Sequence, residues 1–312
     1  MDHIVAYSLA LPGDEPRPDL IWQFAASVNT LRRHNRAIPI VLFVYGALPQ
    51  ELARVCHDHR VMVHDQGPYE RRLASLTQNG WPALSQYPLL HRFLNFSELG
   101  ALGVKQMLSC DCDTIFFADV EKLFDTYLTA DVVAREEVHS RRSRYGADPT
   151  FIDETLLARI AAHERIAIIP PFNLGVVLFN NGVWQHLERL ASRFIDYAWR
   201  LVVGMTILPS QASPYGLFRG LAQAQAHATD NDMARALPYP SANHWILDEV
   251  ALWLTLGHVE GVRTADFSVD DVAENGEFAN VHRGTGEWVM CHYYTQNMRL
   301  ISEWLQSPAR SS

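Results

Sequence analysis

From His3 to Phe117 the chain alternates short apolar, β-branched runs with stretches of helical periodicity, and this limits its architecture more than any other feature. "HIVAYSLAL", "IPIVLFVYG" and "RVMVHD" read as strands. Between them, "DLIWQFAASVNTLRRH" spaces Ile21, Phe24, Val28 and Leu31 on one helical face, and "LPQELARVCHDH" reads as a second helix. "YPLLHRFLNFSELGAL" predicts a helix carrying Leu90, Leu94 and Leu99, and "VKQMLSCDCDTIFF" a further strand. Strands joined by helices connect through right-handed crossovers, which gives a mostly parallel sheet with helices on both faces. Ligands of such sheets bind beyond the carboxyl ends of the strands.

The second half is less regular. "ADVVAREE" predicts a strand, "FIDETLLARIAAH" a helix and "FNLGVVLFNN", just after Pro170 and Pro171, another strand. "GVWQHLERLASRFIDYAWRLV" predicts one long helix, "ILDEVALWLTLG" a short one ending at Gly257, and "GEWVMCHYY" a late strand. The Arg-rich passage Arg141 to Arg144 and the turn-rich stretch from Ser210 to Asn243 interrupt the pattern.

Composition excludes some functions. The 312 residues suit one large domain or two fused lobes. A formal net charge of -9 argues against general binding to nucleic acid backbones. Four cysteines (Cys56, Cys110, Cys112, Cys291) are too few for a disulfide framework in a chain this long, so a reducing compartment is expected. The apolar run at the N-terminus stops at Pro12 and no basic leader precedes it. The expectation is a cytoplasmic protein without a transmembrane segment.

One run poses a chemical problem. In "LSCDCDTIFF", Asp111 and Asp113 stand one residue apart inside an apolar stretch. Buried charge costs several kcal/mol unless paired or bound to a cation. On a strand these two carboxylates share one face and Cys110 and Cys112 the other. Two close carboxylates favour a hard divalent ion, and Mg²⁺ or Mn²⁺ held in this way commonly also binds substrate phosphates. Two plainer readings stand beside this one: Asp113 or Asp119 caps the following turn, or Cys110, Cys112, Cys291 and His292 form a zinc site.

The wider sequence resembles the GT-A-fold glycosyltransferases, closest to the glycogenin- and galactosyltransferase-like (family-8-like) group. Four motifs carry the resemblance in order, over about residues 3 to 300: the helix-to-strand passage ending in Asp111-Cys112-Asp113, "FNLGVVLFNN", "LDEVALWL" and "VMCHYY". Cys112 stands where the group often has Ala, and "TQNMRLISEW" replaces its usual Gly-X-Lys-Pro-Trp ending. The resemblance implies a single GT-A domain, with a nucleotide-binding half over about 1–135 and a smaller acceptor-side half over about 136–312 that includes a long loop at 204–243. It implies transfer of a sugar from a nucleotide-sugar, UDP-linked by first expectation, to a carbohydrate or other hydroxyl acceptor, with the configuration retained. Asp111, Asp113 and His292 would hold the metal, and an imidazole ligand makes Mn²⁺ the first choice over Mg²⁺. Ala6, Tyr7 and Ser8 would receive the base, with the Tyr7 ring packed on it. Arg92, Asp111 and Gly175 would line the donor site, and Arg299 or Asn297 would replace the missing diphosphate lysine. Asn173, Asp248 and Glu249 would act on the sugar, the last two as recognition groups or a general base. Histidine in a core and carboxylates at a helix N-terminus offer structural readings of His292, Asp248 and Glu249. Two other functions compete: a nucleotidyltransferase, against which "LALPGDEPRPDL" lacks a Gly-rich phosphate loop, and a non-catalytic sugar-nucleotide-binding protein.

Overall fold

The computed structural model describes residues 2–11, 18–76, 88–94, 96–136, 154–207, 247–274, 288–293 and 298–306. The Arg141–Arg144 passage, Ser210 to Asn243, Tyr294 and Asn297 lie outside them.

The alternating first half folds as its periodicity requires. Strand β1 (His3–Leu11) leads to α1 (Pro18–His34), β2 (Ile40–Gly46), α2 (Gln50–Asp58), β3 (Val61–Asp65) and α3 (Tyr69–Leu76). The three strands pair in parallel, and β2 is buried along its length except at Gly46. This full burial is what a strand covered by helices on both faces needs. Phe24, Val28 and Leu31 of α1 pack on one face, with Tyr7, Leu9 and Leu42. Ala6, Val41 and Phe43 point into the opposite layer.

Residues 88–101 differ from the single helix predicted. Pro88–Phe93 is a 3-10 turn, followed by a short α4 (Phe96–Ala101). Leu90 and Phe93 are three apart and both buried, a spacing that three residues per turn satisfies. The predicted strand over 104–117 is also divided. Strand β4 (Gln106–Cys110) joins β1 in parallel, the chain turns at Asp111–Asp113, and β5 (Thr114–Phe116) enters a second sheet.

After α5 (Glu121–Thr126), strand β6 (Val132–Glu136) and helix α6 (Glu154–Glu164) precede β7 (Phe172–Phe179). All eight residues of β7 are buried, and it runs antiparallel to both β4 and β6. The predicted long helix breaks at Leu190 into α7 (Val183–Arg189) and α8 (Ala191–Ile207). Because α8 continues to Ile207, residues 204–207 are helical and not loop. Helix α9 (Leu247–Leu256), β8 (Thr264–Asp266), β9 (Val272–Glu274), β10 (Met290–His292) and α10 (Met298–Gln306) complete the described chain.

Among the described residues the main sheet has seven strands in the order β3-β2-β1-β4-β7-β6-β8, parallel except for β7. A three-stranded sheet, β5-β10-β9, sits beside it and packs with α10 through Ile301 and Trp304. No helix among the described residues is long and apolar enough to cross a membrane.

Candidate active site

The junction of the two sheets places the acidic motif. Strand β4 ends at Cys110, and the Asp111 N–H still donates to Gly175 O of β7, at 2.7 Å. Past the turn, β5 pairs antiparallel with β10 in a register that sets His292 opposite Thr114. The Tyr293 N–H donates to Asp113 O at 3.0 Å and closes this end of the pairing. Residues nearly 180 positions apart are thus brought to one point at the carboxyl end of β4, the rim at which such sheets bind ligands.

His292 Nε2 lies 3.4 Å from Asp113 Oδ1 and 3.8 Å from Asp111 Oδ2. One donor atom from each of the three residues falls within 4.8 Å of the other two. Ligands about 2.1 Å from an octahedral ion stand roughly 3 to 4.2 Å apart, so the set fits a single hard divalent cation with small adjustments. The imidazole fits because β7 has no side chain at Gly175; a Cβ there would overlap the ring.

Arg92, on the 3-10 turn, braces the same group. Its Nη1 donates to Asp111 Oδ1 at 2.7 Å and to Leu174 O at 3.2 Å, and its Nε lies 3.4 Å from Asp248 Oδ2. Asp111 therefore divides its oxygens, Oδ1 to Arg92 and Oδ2 toward the imidazole. Asp248 and Glu249, in the first turn of α9, are both buried. Glu249 Oε1 accepts from the Leu174 N–H and from Asn173 Nδ2, each at 3.3 Å. Asn173 Oδ1 in turn accepts the Gly175 N–H at 2.8 Å.

The charges follow from burial and from these neighbours. Burial raises the Asp111 carboxyl to about 6, against the pull of Arg92, and Asp113 adds to the rise. Burial also pushes Asp113 up, but the charge of His292 and its hydrogen bond outweigh this and hold the carboxyl below its usual range. His292 is raised, because Asp113, Asp111 and Glu274 together overcome the effect of burial. Burial raises Asp248. Burial opposes the charge of Arg92, yet Asp111, Asp248, Glu249 and Asp113 more than compensate and keep it cationic.

Most of the expected site residues come together here: Arg92, Asp111, Asp113, Asn173, Gly175, Asp248, Glu249 and His292. Two do not. The Tyr7 ring faces α1, edge-on to Phe24, and its hydroxyl bonds Ser27 Oγ at 2.8 Å, so it is core and does not stack on a base. Strand alternation sends Tyr7 to the face opposite Ala6 and Ser8, and Ala6 is buried in the layer with Val41 and Phe43. Arg299 lies exposed on α10, 3.7 Å from Glu303 of its own helix, and forms no ion pair with the carboxylates of the site. The zinc reading also fails among the described residues: all four cysteines are buried, none is in a disulfide, and the group fit for a metal contains none of them. Sequence reading missed Glu274, a buried carboxylate on β9 in register with His292. Its strand is only three residues long, too short to show a period.

No family model matches the chain, and no curated protein matches it. Solved structures do. The bifunctional glycosyltransferase WbbM aligns at a TM-score of 0.53 with 14% identity, over 94% of this chain and 45% of its own. Mouse xyloside xylosyltransferase 1 aligns at 0.47 with 12% identity over 94% and 97% of the two chains. The galactosyltransferase LgtC, solved with donor and acceptor sugar analogs, aligns at 0.46 with 12% identity over 99% and 98%. This chain spans less than half the length of WbbM, and at 14% identity the likeness is one of fold. The fold is the α/β, GT-A type that the motifs led us to expect.

Proposed function

We propose that this protein is a glycosyltransferase that moves a sugar from a nucleotide-sugar to a hydroxyl acceptor with the help of a divalent ion. The observation that carries this reading is the convergence of Asp111, Asp113 and His292 beside Arg92 at the carboxyl rim of a GT-A sheet. Mn²⁺ is our choice of ion, and when bound it supplies Lewis-acid stabilisation of the charge gathering on the departing diphosphate.

The chain's own groups divide the remaining work in this reading. Backbone groups of Ala6 and Ser8 on β1 take the base, and UDP is the nucleotide we propose. Arg92 is a fixed cation beside the diphosphate and donor sugar, already desolvated and held by Asp111 and Asp248. Asp248, fully buried, holds Arg92 in place for sugar recognition, and Glu249 lies next to it in sequence to stabilise or accept charge at the reacting carbon. We propose that residues 1–135 form the donor-binding half and 136–312 the acceptor side, and that transfer retains configuration. Four buried cysteines with no disulfide between them fit a reducing compartment, and we assign the protein to the cytoplasm.

Calorimetry with UDP, with and without Mn²⁺, followed by a donor-hydrolysis assay on UDP-glucose and UDP-galactose, tests the reading. We expect Mn²⁺-dependent UDP binding and slow hydrolysis, both abolished by Asp113→Ala while the circular dichroism spectrum is unchanged. Undiminished turnover by that variant refutes the assignment. NMR of the released sugar reads the anomeric outcome directly.

A further inference from the structure

We infer that Asn173 is a positioning residue that fixes Glu249 as an acceptor on one chosen oxygen, and does not itself act on the sugar. The orientation of its amide follows from the strand. The Gly175 N–H can only donate, so the Asn173 atom 2.8 Å from it is the oxygen Oδ1. That places Nδ2 toward Glu249 Oε1, at 3.3 Å. Nδ2 has hydrogens and no lone pair, so Oε1 accepts. The Leu174 N–H donates to the same oxygen at 3.3 Å. Two donors converge on Oε1, which leaves no place for a proton there. A carboxylate that accepts several N–H bonds is favoured in its charged form.

The same residues tie this oxygen to the metal group. Gly175 sends its N–H to Asn173 and receives the Asp111 N–H on its carbonyl, and its missing side chain makes room for His292. Three successive residues of β7, Asn173 to Gly175, therefore contact Asp111, His292 and Glu249 together. The charge of Arg92, on the 3-10 turn, acts on Glu249, and Asp248 precedes Glu249 in the first turn of α9.

The consequence at the sugar rests on the transferase reading, but the hydrogen-bond assignment does not. Asn173→Asp is nearly isosteric and can still accept the Gly175 N–H. It replaces the Nδ2 donor with an oxygen, so two carboxyls must share a proton. Carbon-13 NMR of glutamate-labelled protein, with the Glu249 signal assigned by its loss in Glu249→Gln, reads this without any substrate. In the wild type we expect Glu249 ionised at neutral pH. In Asn173→Asp we expect its titration to move up by about one unit or more, the equivalent of losing roughly one charge-assisted hydrogen bond. An unmoved titration overturns the inference, whatever the enzyme does. With UDP-glucose or UDP-galactose and Mn²⁺, the same variant is expected to lose roughly tenfold or more in hydrolysis kcat, with KM changed much less.

The double variant Asn173→Asp, Glu249→Gln separates structure from chemistry. It exchanges amide and carboxylate across the same contact, so a donor again faces an acceptor there, while the Leu174 N–H loses its acceptor. We expect it to regain only part of the thermal stability lost in Asn173→Asp and to remain inactive. Full activity in the exchanged pair would show that Glu249 contributes no charge to the reaction and would overturn the role of Asn173. If no donor is hydrolysed by the wild type, the transferase reading fails while the NMR result still decides the inference.

Discussion

Gly175 lies directly under the imidazole of His292, so close that a single methyl group on its Cα would occupy the space of the ring. His292 is buried and the ring packs against the backbone of β7, leaving little room for both to yield. Gly175→Ala is therefore expected to push Nε2 away from Asp113 and Asp111, with Mn²⁺ affinity falling about 10- to 100-fold, the usual effect of disturbing a ligand's support. Calorimetric titration with Mn²⁺ measures it. In a cycle with His292→Ala, the glycine substitution should cost much less affinity once the ring is absent. Additive losses would mean that Gly175 acts elsewhere.

Arg92 is the cation around which the buried acids are arranged. It joins Asp111 to Asp248, and Asp248 has no exposed surface. Removing one partner of a buried pair leaves the other charge uncompensated, at a cost of about 3–5 kcal/mol. Arg92→Met should lower the stability of the metal-free protein by that order in urea denaturation. Adding Asp248→Leu should recover part of the loss, because the stranded carboxylate goes with it. Failure of the second change to help would place the strain at Asp111 instead.

The strands and most helices were legible in the sequence because their burial is periodic or continuous. The α1 spacing of Phe24, Val28 and Leu31 and the fully apolar β2 leave little alternative. The reversal of β7 was not legible. A strand buried over all eight residues presents the same pattern in either direction, and only its neighbours β4 and β6 reveal that it is antiparallel. The split of 104–117 was hidden for a related reason: Cys110 and Cys112 are both buried, so the apolar run continues through a change of sheet. The group that could hold a metal was legible as residue types, since two acids one residue apart in an apolar run require compensation. What compensates Asp111 in the protein itself, Arg92 at 2.7 Å, depends on how the 3-10 turn packs and has no sequence signature. Tyr7 was misjudged because strand alternation gives two faces and not which of them meets α1.

A second acid–base pair lies away from this site and controls the sheet edge. Asp131, just before β6, accepts from the Arg263 N–H at 2.9 Å, from Arg263 Nη2 at 3.0 Å and from Asn181 Nδ2 at 2.8 Å. Arg263 directly precedes β8, so the contact aligns the parallel pairing of β6 and β8 from its first residue. Burial nudges the Asp131 carboxyl upward, but the hydrogen bonds from Arg263 and Asn181 prevail and hold it below its usual value. A carboxyl depressed in the folded protein adds stability that is fully present above its unfolded value, near 3.9, and is lost as pH falls through the folded one. Because the guanidinium is largely exposed, the contribution of Asp131 is expected to be about 1 kcal/mol or less at neutral pH. Asp131→Asn should therefore unfold at lower urea than the wild type at pH 7, and the two midpoints should converge as pH drops below the carboxylate range. High salt should narrow the gap at pH 7, since an exposed pair is screened. A difference that persisted undiminished in acid would show that Asp131 acts by shape at the strand edge and not by charge.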